Sequence, residues 1–168
     1  MTKSEMEAEK YWLFRRESFN LLRQKIRGLR TAPFIDDFVV RPEHLPHFLP
    51  KLYTILNSYK IIYTLAGHVG DGNFHIIPLM NMADPASKEI IRKLAVQVYD
   101  LVLSYHGSIT GEHNDGLIRG PYLEKVYGTE VFQLFEKTKK IFDPENIFNP
   151  GKKVGASLNY AMEHLDVK

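Results

Sequence analysis

The residues best suited to chemistry fall in two short stretches, GHVGDGNFH at 67–75 and GSITGEHNDG at 107–116. In the first, Asp71-Gly72 is the kind of pair favoured at the centre of a two-residue type I′ hairpin, where both central positions need positive φ. A turn there pairs 70 with 73, 69 with 74 and His68 with His75, and cross-strand partners stand about 5 Å apart on one face. Two imidazoles so placed suit a single divalent metal. A register one residue different would send them to opposite faces. A plainer reading stands beside this one: histidines near hairpins are commonly just polar strand-end residues, and two ligands do not make a site.

The second stretch supplies further candidates. Glu112 follows a short apolar segment, is bracketed by glycines, and would complete a His–His–Glu set with open coordination positions, the pattern of a working metal. His113 is its neighbour. Adjacent strand residues face opposite ways, so His113 is expected beside the metal rather than on it, unless a loop relaxes the alternation. A neutral histidine there suits a general base. Arg15 and Arg16, behind the aromatic pair in YWLFRRES, read locally as a solvated helix face. Asn149-Pro150-Gly151-Lys152 reads locally as a turn with a solvent lysine.

Composition narrows the classes. The chain has 168 residues, 44% apolar and 25% charged, with a net charge of +2. That supports one cored domain, and basic residues do not cluster, so no nucleic-acid partner is expected. Absence of cysteine excludes disulfides, iron–sulfur ligation and thiol catalysis. No apolar run reaches transmembrane length and no signal-peptide core opens the chain, so a cytoplasmic protein is expected, peripheral to a membrane at most through a larger enzyme.

The elements that must position these residues follow from periodicity. Residues 4–30 read as a helix, with Ser4 and Glu7 as a capping box and Phe14, Leu21, Leu22, Ile26 and Leu29 as its apolar stripe. A strand runs from Pro33 to about Val40, and a helix follows from near Pro46, since Pro42, Pro46 and Pro50 do not all fit inside one. KIIYTLA and FHIIPLM are strands flanking the first histidine stretch. Asp84 caps a helix that Pro85 opens and Gly107 ends, with Ile90, Leu94, Val98 and Val102 on one face. SIT is a fourth strand, and a helix capped by Thr129 ends before Asp143-Pro144.

Residues 34–112 therefore read as an α+β core in ferredoxin-like βαββαβ order, an antiparallel sheet with helices on one face. The N-terminal helix and a C-terminal helical segment at 119–168 complete a single domain. Strand and helix rises return Glu112 to within roughly 10 Å of the hairpin's level. A sheet with one open face and two flanking helical segments suits a piece that sits against something else.

Taken together, YWLFRRES, GHVGDGNFH, GSITGEHNDG and DPENIFNPGK, in that order, resemble the C-terminal domain of FAD-linked oxidases of the D-lactate dehydrogenase and glycolate oxidase family. The resemblance runs from about Tyr11 to Lys153. It implies part of a flavoenzyme that oxidises a small 2-hydroxy acid to a 2-oxo acid by hydride transfer to flavin. It implies His68, His75 and Glu112 as ligands of a divalent metal such as Zn, Mn or Fe, and His113 as the base that takes the hydroxyl proton. Arg15 is implied as the partner of the substrate carboxylate, and Asn149 and Lys152 as residues on the FAD side of the site.

Departures qualify what is implied. Asn114 stands where the family usually has glycine, Arg16 competes with Arg15, and apolar Ile77 leans toward a small or apolar substrate. No segment matches the family's FAD-binding domain, so that domain is expected in cis or in a separate chain. The chain alone is expected to be inactive and to expose surface that favours self-association. The alternatives are a non-catalytic metal-binding or interaction module that assembles with a separate flavoprotein, and a metal-dependent hydrolase.

Overall fold

The computed structural model describes residues 4–26 and 28–165, with the backbone alone at 18, 19 and 21–25. Helix α1 spans Glu5–Lys25 and so stops short of the expected residue 30, because Gly28 takes a left-handed φ of 80° and Arg30 joins the sheet. The Ser4 hydroxyl accepts from the Glu7 N–H at 3.4 Å, and Glu5 and Glu7 place negative charge against the positive helix end. The expected stripe is not buried on its described outer turns: Phe14 is 74% exposed. Leu21 and Leu22 of that stripe lie outside the described side chains.

The sheet is built on strand β4 (Asn73–Met80). Strand β3 (Ile62–Ala66) runs antiparallel along one edge, from Ile62 opposite Leu79 to Ala66 opposite His75. Strands β1 (Arg30–Thr31) and β2 (Ile35–Val39) share the other edge end to end. Pro78 explains the break between them. It has no N–H to offer that edge, its carbonyl accepts from Ala32 at 2.8 Å, and the chain turns outward through Pro33 before β2 begins.

Asp37 forms a bulge in β2, with φ at 70° and the register shifting between Asp36 and Phe38. Strict alternation would put Phe38 on the same face as Asp36. The extra residue returns Phe38 to the core, stacked on Phe74 with ring centroids 5.7 Å apart, while Asp36 stays on the open face opposite His75.

Helix α2 (Leu45–Asn57) begins close to the expected place, with Pro42 before it, Pro46 in its first turn and Pro50 inside it. Helix α3 (Pro85–Ser104) has Pro85 in its first turn, and the Asp84 carboxylate accepts from the Ala86 N–H at 2.9 Å. Leu45, Phe48, Leu52 and Leu56 from α2 meet Ile91, Leu94, Val98 and Val102 from α3 over the inner face of the sheet. Tyr99 is fully buried among them and donates to the Phe34 carbonyl at 2.6 Å, tying α3 to the start of β2.

The fold is thus α+β, an antiparallel sheet with helices packed on one face. The expected fourth strand over SIT is reduced to one bridge, Ser108 to Val39, on the edge of β2 away from β4.

Beyond it come the short helices α4 (Gly116–Arg119) and α5 (Leu123–Tyr127), then α6 (Thr129–Phe142) and α7 (Leu158–Glu163). Thr129 does not cap α6. Gly128 occupies the cap position, and the Thr129 hydroxyl donates to Glu124. Among the described residues no helix is long and apolar enough to cross a membrane.

Candidate metal centre

The connection 67–72 between β3 and β4 is not a two-residue hairpin. Only Gly72 of the Asp71-Gly72 pair takes a left-handed φ, at 71°, while Val69–Asp71 form a 3₁₀ turn. The His68 carbonyl accepts from both the Asp71 and Asn73 N–H groups. His75 consequently faces Ala66 across the ladder, and His68 lies outside it. The two rings still come together, edge to face, with centroids 5.8 Å apart. Their proximity is a property of the folded loop, not of strand register.

The loop 110–115 reaches the same place because Asp37 holds it. The Asp37 carboxylate accepts from the N–H groups of Gly111, Glu112 and His113 at 2.8–3.0 Å, and from the Asn73 amide at 3.1 Å. Burial would raise its pKa, yet these hydrogen bonds outweigh that and hold it below the usual carboxylate range. Gly111 is required for this approach: a Cβ there would stand 2.8 Å from the Asp37 carboxylate and 2.6 Å from the Asn73 amide. Asn114 has φ at 65°, so the position needs the left-handed conformation that asparagine tolerates best after glycine. Buried Arg119 closes the loop from behind, donating to the Asn114 carbonyl and, at 2.8 Å, to the Asp36 carbonyl.

Four side chains then converge. The Nε2 atoms of His75, His113 and His68 lie 3.1, 3.4 and 3.5 Å from one oxygen of Glu112. His113 is not turned away, because Glu112 and His113 sit in a bend rather than a strand. Its ring stacks on His75, with centroids 4.9 Å apart and planes 9° from parallel. Asp36 bonds both: its two carboxylate oxygens lie 2.8 Å from His75 Nδ1 and 3.0 Å from His113 Nδ1.

A carboxylate only accepts, so the proton on each of these rings belongs on Nδ1, and each Nε2 turns a lone pair toward Glu112. Acceptors facing acceptors need a cation or a shared proton between them. Ligands on a tetrahedral cation with bonds of about 2.0–2.1 Å stand roughly 3.3 Å apart, which the observed separations match. Among the described residues, the ligand atoms that all lie within 4.8 Å of one another are those of Asp37, His75, Glu112 and His113, and His68 stands outside that closest group. The Asp37 oxygens are already filled by backbone donors, so Asp37 serves the loop rather than a metal.

Two clefts flank the cluster. One, of about 460 Å³, is lined by His68, Asp71, Asn73, Gly111 and Glu112. The other, of about 270 Å³, joins His113 and Asn114 to Asn149, Lys152 and Lys153. The Pro-Gly turn is drawn there by Lys153, whose ammonium pairs with Asp115 at 2.9 Å. A larger hollow of about 510 Å³ behind the turn is walled by Leu123, Tyr127, Phe135 and Phe148, and no histidine lines it. Among the described residues, Arg15 lines neither cleft beside the cluster. It lies exposed on α1 with its guanidinium 5.7 Å from the Trp12 ring centre, and Arg16 pairs with Glu9.

Sequence reasoning missed Asp36, Asp37, Asn73 and Arg119. The signal for the first two was legible: paired carboxylates inside the apolar run PFIDDFVV are costly unless they have buried partners. Nothing local marks Arg119.

A sheet with one covered face, and a histidine–glutamate cluster built from β4 and the loops at its end, agree with what the sequence as a whole shows. The chain belongs to the family of FAD linked oxidases, C-terminal domain, whose profile matches residues 1–153. It is 33% identical over 144 residues to D-2-hydroxyglutarate dehydrogenase of Escherichia coli K12, covering 86% of this chain and 14% of that protein. It is 34% identical over 158 residues to the mitochondrial D-lactate dehydrogenase [cytochrome] of Arabidopsis thaliana, covering 92% of this chain and 27% of that protein. Glycolate oxidase subunit GlcD of Bacillus subtilis is 29% identical over 124 residues, 74% of this chain and 26% of that protein. The chain thus spans between about a seventh and about a quarter of the length of these relatives.

Proposed function

We propose that this chain forms the substrate- and metal-binding part of an FAD-dependent 2-hydroxy acid dehydrogenase, working with an FAD-binding domain in cis or in a separate chain. The observation that carries the reading is the convergence of the His68, His75 and His113 Nε2 atoms on one Glu112 oxygen. His68, His75 and Glu112 hold the divalent metal. A metal held there would supply Lewis-acid chemistry that lowers the pKa of the substrate 2-hydroxyl, and FAD would supply the hydride acceptor.

The chain's own residues do the rest. His113 Nε2 takes the hydroxyl proton, and its Nδ1–H bond to Asp36 steadies the imidazolium that results. About half of the His113 and Glu112 side-chain surface is open, so a small hydroxy acid can reach both. Asn149 and Lys152 share a cleft with His113 and are the candidates for the flavin side on family resemblance. Arg15 is the candidate for the substrate carboxylate on family resemblance alone.

Elemental analysis tests the reading directly. The purified chain is expected to carry a divalent metal, and His68→Ala, His75→Ala and Glu112→Ala to lose it. Equal metal content in all four proteins refutes the ligand set. The chain alone is expected to leave gel filtration without stoichiometric FAD and without dehydrogenase activity.

A further inference from the structure

The geometry points to Asp36 as the residue that positions the metal ligand and the proton acceptor together: one carboxylate fixes the ring orientation and the tautomer of both His75 and His113. This rests on the reading above for what the rings do, but not for how they are held.

Asp36 is 8% exposed, and among the described residues no ammonium or guanidinium pairs with its side chain; its two oxygens lie against imidazole Nδ1 atoms. Arg119 touches Asp36 only at the backbone carbonyl. His75 comes from β4 and His113 from the loop after α3, so no local geometry aligns them. Their near-parallel stacking follows from two ring nitrogens meeting the two ends of one carboxylate. The bulge at Asp37 is what makes this available. It lets adjacent aspartates divide the work, Asp37 holding the backbone of the loop and Asp36 the imidazoles of the site.

The consequence is that metal binding and proton acceptance share one orienting group. With both Nδ1 atoms protonated toward Asp36, both Nε2 lone pairs are free for a metal or a proton. Asparagine at 36 keeps the shape but has one accepting and one donating end. One ring must then accept at Nδ1 and carry its proton on Nε2, where it blocks that lone pair.

Long-range ¹H–¹⁵N correlation spectra of the metal-free chain in alkaline buffer, with zinc titration by calorimetry, test this. The wild-type chain should show both His75 and His113 as Nδ1–H tautomers. Asp36→Asn should convert one of them to Nε2–H and weaken zinc binding by roughly 10–100-fold. A wild-type spectrum with Nε2–H on either ring overturns the inference, as does Asp36→Asn with unchanged tautomers and unchanged zinc affinity. A wild-type chain with both Nδ1–H tautomers but no zinc uptake would refute the metal reading while leaving the positioning role of Asp36 standing.

Discussion

At the scale of single residues, the site depends on carboxylates that bind no ligand. Asp37→Ala would leave the Glu112 and His113 N–H groups without their acceptor and the Asn73 amide with only its longer contact to the Phe38 carbonyl, while the Gly111 N–H keeps the Asp37 carbonyl. Each lost partner costs about 1–3 kcal/mol, so a total destabilisation of roughly 3–5 kcal/mol is expected from chemical denaturation. A loss below about 1 kcal/mol would mean that water replaces the carboxylate. Asn114 makes the opposite prediction. Its left-handed backbone is natural to glycine, so Asn114→Gly should leave stability nearly unchanged, whereas Asn114→Ala should cost about 1–2 kcal/mol. The family departure at this position is therefore conformationally mild.

At the scale of elements, two contacts can be tested separately from the site. Phe38 is brought inward by the β2 bulge and packs between Phe48 and Phe74. Phe38→Ala should cost about 3–5 kcal/mol by urea denaturation, and a much smaller cost would show that the register relaxes around the bulge. Asp143 ends α6 and holds the turn that leads to the cleft. A hydrogen bond from Lys139, aided by the N–H groups of Ile147 and Phe148 and opposed by partial burial, holds its pKa below the usual carboxylate range. A depressed carboxylate stabilises the folded turn above the unfolded value, near pH 4, and that contribution is lost as pH falls through the folded value. Acid titration followed at the Ile147 and Phe148 amides should show the turn loosening below about pH 4. Asp143→Asn should abolish the dependence.

At the scale of the whole molecule, apolar surface is exposed in two places. On α1, Tyr11, Trp12, Leu13 and Phe14 are each more than half exposed, and the same holds for Ile141 and Phe142 at the end of α6 and for Ile147 and Phe148 just after it. Apolar surface gathered in this way commonly marks an interface. Concentration-dependent association is expected, read by sedimentation velocity, with Trp12, the chain's sole tryptophan, as a fluorescence reporter that shifts blue if α1 enters the contact. A chain that stays monomeric across concentrations, with unchanged Trp12 emission, would refute self-association.

The sequence by itself determined the elements and the roll of candidate ligands. The Asp84-Pro85 start of α3, the strands around GHVGDGNFH and the family are all legible, because capping, alternation and short motifs are local. It did not determine how the ligands meet. The turn expected at Asp71-Gly72 would have aligned His68 with His75 by register; a 3₁₀ turn aligns them instead. Only the tertiary structure brings Asp36, Asp37 and Arg119 to the loop 111–114, across 75 or more residues of chain for the Asp37 bonds to Glu112 and His113. Buried hydrogen bonds between such distant segments leave no periodic trace in sequence. What holds the imidazoles in place became visible only once the chain had folded around them.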